Sequence, residues 1–277
     1  MRLVDRLILG YVAVVSVAAV WRAQDDPSCW WLLPGHALIV LLVFLVQRPG
    51  LGAIGRFFRE TYPIFLLASF YGELDVLNGG GIRIHDALVQ GWEEALFGMQ
   101  VSREWWHRMP SRFWSTVLHG AYWGYYILLP LPVIVFVAQG NRPALQRTML
   151  MVIGTFLFCY LFFVFLPVVG PYYEFPRPDA WFLDNPMARL VYRTLEGGSS
   201  YGAAFPSSHV AATITATGGA WYGSRRLAMI MMLPTVLLTI GVVYCQMHYA
   251  VDALAGILIG GIAWWAGSRL TGQRTAA

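Results

Sequence analysis

The sequence predicts an all-α, polytopic integral membrane protein with about eight helices. Of its 277 residues, 57% are hydrophobic and only 12% are charged, a composition that excludes a water-soluble globular domain. Apolar segments recur along the chain at the length of about 17–25 residues that a helix needs to cross the hydrocarbon core. Twelve tryptophans and fourteen tyrosines suit two belts of aromatic side chains at the membrane interfaces.

Eight apolar segments are the candidate spans. They are residues 7–21, 30–46, 61–77, 113–138, 145–168, 206–222, 227–245 and 249–267. Pro130 and Pro132 predict a kink in the fourth span, which a packed membrane helix tolerates. Glu73 and Asp75 lie near the end of the third span, where they either bind a polyol headgroup or merely end the helix.

The spans predict a single transmembrane domain over residues 1–277. Its parts are peripheral N-terminal helices (1–60), a short helix with an outer interfacial segment (61–112), a helical core (113–267) and a cytoplasmic tail (268–277). The first apolar segment also resembles a signal peptide, but the topology requires a permanent helix there. Residues 82–108 alternate apolar and charged side chains near helical spacing, which predicts an interfacial amphipathic helix acting as a lid or collar.

The distribution of arginine predicts the orientation. With eight spans and the N-terminus inside, the inner segments hold eleven arginines and two acidic residues, and the outer segments hold eight arginines and thirteen acidic residues. Positive charge favours the cytoplasmic side of a membrane. We therefore expect both termini in the cytoplasm and the loops at 78–112 and 170–205 outside, in a multi-pass protein of the cell membrane.

Two residue counts exclude whole classes of site. The chain contains no lysine, which excludes a P-loop lysine and a Schiff base. Cys29, Cys159 and Cys245 are widely and irregularly spaced, so we expect buried hydrophobic side chains rather than a disulfide framework or a zinc knuckle. We expect no cofactor, no metal and no nucleic acid.

The first polar signature is Phe205-Pro206-Ser207-Ser208-His209. Proline in the first turn and serine hydroxyls that cap free amides are typical of a helix start. Such a start binds anions, because unpaired N–H groups and the helix dipole both point at the ligand. A capped helix with an interfacial histidine explains the same residues without any chemistry.

The second signature is His248-Tyr249-Ala250-Val251-Asp252. His248 and Asp252 are four residues apart and share one helix face, where a carboxylate fixes the tautomer of an imidazole that attacks through its other nitrogen. A buried polar pair that joins helices is the alternative. Between the two signatures lie 38 residues, enough for one helix out and one back, so both histidines should meet at one membrane face.

Together the two signatures resemble the type-2 phosphatidic acid phosphatase (PAP2) superfamily of membrane enzymes over about residues 145–267. Residues 206–209 resemble its Pro-Ser-Gly-His motif, and residues 248–252 resemble the His-x-x-x-Asp end of its last motif. The resemblance implies a six-helix core and phosphoryl chemistry without a metal. It also implies that His248 is the nucleophile that forms a phosphohistidine, Asp252 its orienting partner, and His209 the acid for the leaving oxygen. By the same resemblance, Ser207 and Ser208 hold phosphate oxygens.

The chain departs from the family pattern at two cationic positions. Arg177-Pro178 matches the end of the first motif, but the lysine expected seven residues earlier falls on Gly170, and the arginine expected six residues before the last histidine falls on Val242. Arg177 is thus the one candidate left for binding phosphate, and a solvated loop arginine is the alternative. Fewer cations suit a phosphodiester, with one negative charge, better than a phosphomonoester with nearly two.

This pattern is similar to the inositol phosphorylceramide synthase branch of lipid headgroup transferases. Tyr172 and Tyr173 precede the site and either frame the headgroup or form an aromatic interfacial loop. His119, Tyr122 and Tyr126 form a polar stripe in the fourth span. Aromatic-belt packing explains the tyrosines, so His119 is the candidate substrate-binding residue of the stripe.

These observations predict an enzyme that transfers a phospho-headgroup between membrane lipids, a phospholipid donor and a lipid alcohol acceptor. Hydrolysis of a lipid phosphate, such as phosphatidic acid or a polyprenyl pyrophosphate, with water as acceptor, is the second hypothesis. A lipid transporter or scaffold is a third. A metal site from His209, His248 and Asp252 is a fourth, but it lacks a second close pair of ligands.

Overall fold

A computed structural model of the chain describes residues 1–79 and 81–272, and these fold into a bundle of helices. The helices are α1 (Leu3–Arg22), α2 (Leu32–Leu45), α3 (Ala53–Asn78), α4 (Asp86–Phe97), α5 (Val101–Arg108), α6 (Arg112–Trp123), α7 (Tyr125–Leu128), α8 (Leu131–Ala138), α9 (Arg142–Phe165), α10 (Pro171–Glu174), α11 (Ala180–Leu183), α12 (Pro186–Glu196), α13 (Ser208–Gly223), α14 (Arg225–Tyr244) and α15 (Ala250–Gly272). A short 3₁₀ helix, Pro27–Trp31, leads into α2. Within the described residues the chain forms no strand, only an isolated bridge between Val168 and Ala203. The predicted all-α class is confirmed.

Six stretches of the described residues are long and apolar enough to cross a membrane. They are Leu3–Arg22, Pro27–Leu45, Arg112–Ala138, Arg142–Phe165, Arg225–Tyr244 and Ala250–Arg269. The two other predicted spans fall on α13, which has 16 residues and is largely buried, and on α3. The α3 helix has 26 residues and begins earlier than the sequence predicted.

The α3 helix nevertheless runs along the full length of α1. At one end Arg2 of the chain's start pairs with Glu60 (3.2 Å), and at the other Arg22 donates to the Leu77 carbonyl (2.8 Å). Between these ends Glu73 accepts hydrogen bonds from Tyr11 and His36. Glu73 therefore joins helices and is not free to bind a headgroup.

The fourth span is broken as the prolines predicted. Pro130 lies between α7 and α8, and Pro132 is in the first turn of α8. The three predicted free cysteines are buried, which confirms that they act as small hydrophobic side chains.

The contacts define two ends of the bundle. The end that holds Arg2, Arg142 and the turn at Ser224 is here called the arginine end. The opposite end, the histidine end, holds residues 81–111, 166–207 and 245–249. The predicted tail at 268–277 begins inside α15, and residues 273–277 lie outside the described residues. The assignment of the arginine end to the cytoplasm remains a prediction.

The α13 helix lies at the centre of the bundle and packs against α9, α14 and α15. Small residues permit its close contact with α15. A Cβ atom on Gly256 would lie 2.7 Å from the Ser207 carbonyl oxygen, and one on Gly260 would lie 2.9 Å from the Ala211 carbonyl oxygen. Membrane helices associate through such small-residue contacts, where van der Waals packing replaces the hydrophobic effect.

We predict that Gly260→Leu destabilises the bundle, because the added side chain has to separate α13 from α15. The expected cost is about 1–3 kcal/mol, typical of an overpacked core. Gly261→Leu is the matched control, since nothing lies within 4 Å of a Cβ at that position. Thermal unfolding in detergent measures both variants. Equal midpoints for the two would contradict this packing.

Candidate active site

The structure brings His209 and His248 together at the histidine end. His209 is the second residue of α13, and His248 lies in the turn between α14 and α15. Their ring centroids are 5.6 Å apart. Ser207 is the N-cap of α13, and its backbone N–H donates to the Asp252 carbonyl at 3.0 Å, which joins the starts of the two helices. Pro206 precedes the cap, whereas the sequence predicted it inside the first turn.

The environment of His248 determines its tautomer. Its Nδ1 lies 3.0 Å from the Ala204 carbonyl oxygen and 3.4 Å from Asp252 Oδ2, and both of these atoms are acceptors. Nδ1 therefore carries the proton and Nε2 keeps its lone pair. Asp252 is fully buried, and the same Oδ2 accepts the Tyr249 backbone N–H at 2.9 Å. The carbonyl of Ala204 is thus the nearest partner of His248, ahead of the predicted carboxylate.

Burial lowers the pKa of His248 to about 4. Only 4% of the residue is accessible to solvent, and a buried imidazole resists protonation because the charged form loses its hydration. At neutral pH the ring is therefore neutral, and its Nε2 keeps its lone pair.

His209 is held by aromatic rings. The Tyr122 ring stacks on it with a centroid distance of 5.0 Å and an interplanar angle of 29°, and the Tyr125 centroid is 4.3 Å away. The Nδ1 atom of His209 is buried without a hydrogen-bond partner among the described residues. No protein group among the described residues therefore holds a proton on this nitrogen.

Both histidines line a cavity of about 300 Å³. Its described lining contains no arginine, aspartate or glutamate, and its other polar groups are serine and tyrosine hydroxyls and backbone atoms. Seven tyrosines contribute to the wall: Tyr71, Tyr122, Tyr125, Tyr126, Tyr160, Tyr172 and Tyr173. The cavity is thus aromatic and nearly uncharged.

The predicted substrate-binding residues lie at different distances from this cavity. Ser208, Tyr172 and Tyr173 line it. Ser207 is buried, and its hydroxyl accepts the Val210 N–H as a helix cap (3.4 Å). Arg177 is exposed outside the lining, with its guanidinium 5.4 Å from the centre of the Tyr192 ring.

His119 lies away from the cavity. Its Nδ1 is 2.8 Å from the Ser115 carbonyl oxygen and 3.4 Å from Cys245 Sγ, so the residue packs behind the site. The other members of its stripe, Tyr122 and Tyr126, do line the cavity. The sequence favoured His119 as the substrate-binding residue of this stripe, whereas the structure places Tyr122 and Tyr126, and not His119, on the cavity wall.

The sequence matches a known protein family over the region that holds this site. Residues 90–266, well over half of the chain, match the model of the PAP2 superfamily. The chain belongs to the PAP2 superfamily. Searches of the curated proteins and of the solved structures found no match. Membership of the PAP2 superfamily indicates phosphatase or phosphotransferase activity on phosphate esters.

The structure explains why this PAP2 protein has glycine in place of the expected lysine. Gly170 has a φ of +87°, and a Cβ there would lie 2.7 Å from the Cβ of Ala204. Its backbone N–H and that of Val169 both donate to Asp86 (2.8 and 2.9 Å). The carboxyl group of Asp86 thus occupies this side of the backbone, and a side chain on residue 170 would collide with Ala204.

Asp86 and Glu93 were not identified as site residues from the sequence. Asp86 also accepts the Tyr249 hydroxyl at 3.0 Å, and Glu93 accepts N–H groups of Val101 (2.8 Å) and Val251 (3.4 Å). Burial raises the pKa of Glu93, and these hydrogen bonds oppose the shift. The segment of the predicted collar therefore forms two helices, α4 and α5, and the two acids of α4 hold the backbone at residues 169–170, the start of α5 and the start of α15. The i, i+7 spacing of the two acids on one helix face was the available signal.

The neutral state of His248 predicts an acid limit of activity. A histidine with a depressed pKa is protonated, and so loses its nucleophilic lone pair, only below that pKa. We expect kcat/KM to fall with an apparent pKa near 4 rather than near the ordinary value of about 6.5. The pH profile of kcat/KM in detergent, with unfolding monitored in parallel, measures this. An acid limb at the ordinary histidine value would contradict the buried, neutral state.

Proposed function

We propose that this protein cleaves a lipid phosphate ester through a phosphohistidine on His248. The observation that carries the proposal is that His248, with its Nε2 unprotonated, and the His209 ring lie beside each other on the wall of one cavity. A nucleophile held by an acceptor at its other nitrogen, with an acid–base group opposite, is the arrangement that covalent catalysis requires.

The reaction has two displacements. In the first, Nε2 of His248 forms a bond to phosphorus and the bond from phosphorus to the leaving oxygen breaks. His209, whose protonated form is favoured by the bound phosphate anion beside it, gives that oxygen a proton. In the second, an acceptor hydroxyl gives its proton to His209, its oxygen bonds to phosphorus, and the phosphorus–nitrogen bond breaks. Asp252 and the Ala204 carbonyl stabilise the positive charge on His248 during each step.

The start of α13 supplies a binding site for the phosphate. Its free N–H groups and dipole favour an anion, and the Ser208 hydroxyl lines the cavity beside them. Because no arginine is among the described residues of the lining, and Arg177 reaches only Tyr172 at its edge, these groups balance one negative charge better than two. The site therefore favours a phosphodiester.

A diester substrate leads to headgroup transfer. After the lipid alcohol has left, the enzyme carries a phospho-headgroup, and a second lipid alcohol takes it, as in inositol phosphorylceramide synthase. The donor and acceptor are membrane lipids, and hydrolysis of a lipid phosphate monoester is the alternative outcome. With the arginine end in the cytoplasm, as the positive-inside rule predicts, the site serves the opposite leaflet of the cell membrane.

The test uses purified protein in detergent with phosphatidylinositol or phosphatidic acid as donor, each with and without ceramide or diacylglycerol. We expect a new phospholipid that appears only when phosphatidylinositol and an acceptor are both present. The His248→Ala variant should lose this product by at least about 10³-fold, as expected for loss of a catalytic nucleophile.

Two other results would contradict parts of the proposal. Free phosphate from phosphatidic acid that depends on His248 would make the protein a phosphatase and overturn the argument from charge. Unchanged turnover in His248→Ala would remove the histidine from the mechanism and favour a different role for the cavity.

A further inference from the structure

The cavity extends past the histidines as an apolar channel toward the arginine end. Its wall is made by side chains from three parts of the bundle, here called the apolar arm: Ile64, Leu67, Ala68, Leu129 and Phe156. Ile64 precedes Tyr71, which also lines the cavity, by two turns of α3, so this wall is about 10 Å long. The polar lining, in contrast, comes mainly from loop residues such as Ser199 and Ser200 at the histidine end.

The α3 side of the arm lies outside the region that matches the PAP2 superfamily, which begins at residue 90. It is held in place by the other N-terminal helices. Arg22 donates to the Asn78 side chain (2.9 Å), and His36 lies 2.8 Å from Glu73. The N-terminal helices therefore complete a cavity that the matched region alone leaves open on one side.

His209 lies on the side of the cavity that continues into the apolar arm. Tyr122 and Tyr125, which hold the His209 ring, lie on α6 and α7 and continue directly into the wall at Leu129. The group that protonates the leaving oxygen is thus on the same side of the site as the apolar arm. Serine hydroxyls lie at the other end of the cavity, where a polar group is better satisfied.

We propose that the apolar arm binds the hydrocarbon chain of the leaving lipid alcohol, and that α3 sets the length of chain accepted, with Ala68 as the determining position. The choice of the leaving alcohol rests on the proposed function. The binding of a chain in the arm rests on the cavity alone. An uncharged, aromatic and aliphatic lining continuous with the reacting histidines fits a lipid chain and no polar group of similar size.

The first experiment narrows the arm. Ala68→Phe adds a ring to the wall without entering the core, because Ala68 is an exposed residue. Dipalmitoyl and dihexanoyl forms of phosphatidylinositol and phosphatidic acid serve as probes. We expect kcat/KM for the long-chain probe to fall at least about tenfold, within the range that a changed apolar pocket produces, and kcat/KM for the short-chain probe to stay nearly constant.

Ser69→Phe is the matched control, because Ser69 is the next residue, is also exposed and does not line the cavity. It should change neither value. An equal effect of Ala68→Phe on both chain lengths, or the same chain preference in Ser69→Phe, would overturn the assignment of Ala68.

A second experiment does not depend on turnover. In the His248→Ala background, a phosphatidylinositol with a photoreactive diazirine near the end of its chain is irradiated, and the labelled peptides are identified. We expect label within residues 64–71 or 122–129, reduced by Ala68→Phe. Label only elsewhere overturns the proposal. Label in the arm of His248→Ala, together with no turnover by the unsubstituted protein, leaves the chain site standing and refutes the catalytic function, so the two failures are distinguishable.

Discussion

The whole site depends on the close contact between the starts of α13 and α15. His209 lies in the first turn of α13 and His248 in the turn that leads into α15, and the two are far apart in the sequence. The hydrogen bond from the Ser207 N–H to the Asp252 carbonyl, together with the missing side chain at Gly256, fixes the distance between the two helices. In lipid, such contacts form because small residues let backbones approach and polar backbone groups must find partners within the protein. Catalytic geometry here is therefore a consequence of helix packing.

The second feature of the molecule is that its acidic side chains lie behind the cavity and not in the cavity lining. Asp86, Glu93 and Asp252 surround the back of the site, where they accept backbone N–H groups. Buried carboxylates require such partners, because their desolvation is otherwise costly. The front of the site consists of tyrosines, serines and the two histidines. Under the proposed function, a substrate phosphate meets hydrogen-bond donors and a helix N-terminus in place of arginine or lysine. The lack of cations in the described lining is the reason why a substrate phosphate with one negative charge is proposed.

Much of this arrangement could be predicted from the sequence, because it follows from local patterns. Span lengths predicted most of the helices, and the spacing between the signatures of His209 and His248 predicted two intervening helices. What could not be predicted depends on backbone position or on contacts between distant segments. The Ala204 carbonyl has no sequence signal, and Asp86 reaches Gly170 only in the folded bundle. The place of His119 was misjudged because spacing along a helix shows which residues share a face but not which neighbour that face meets.

Rapid-quench trapping detects the proposed covalent intermediate on His248. Protein in detergent is mixed with a lipid labelled at its phosphate, quenched with alkali during the first turnover, and digested. We expect an acid-labile, alkali-stable label on the peptide that contains His248. The label should form and disappear at rates that match turnover, and it should be absent in His248→Ala. Turnover at a normal rate with no labelled histidine, or with the label on another residue, would contradict a phosphohistidine on His248.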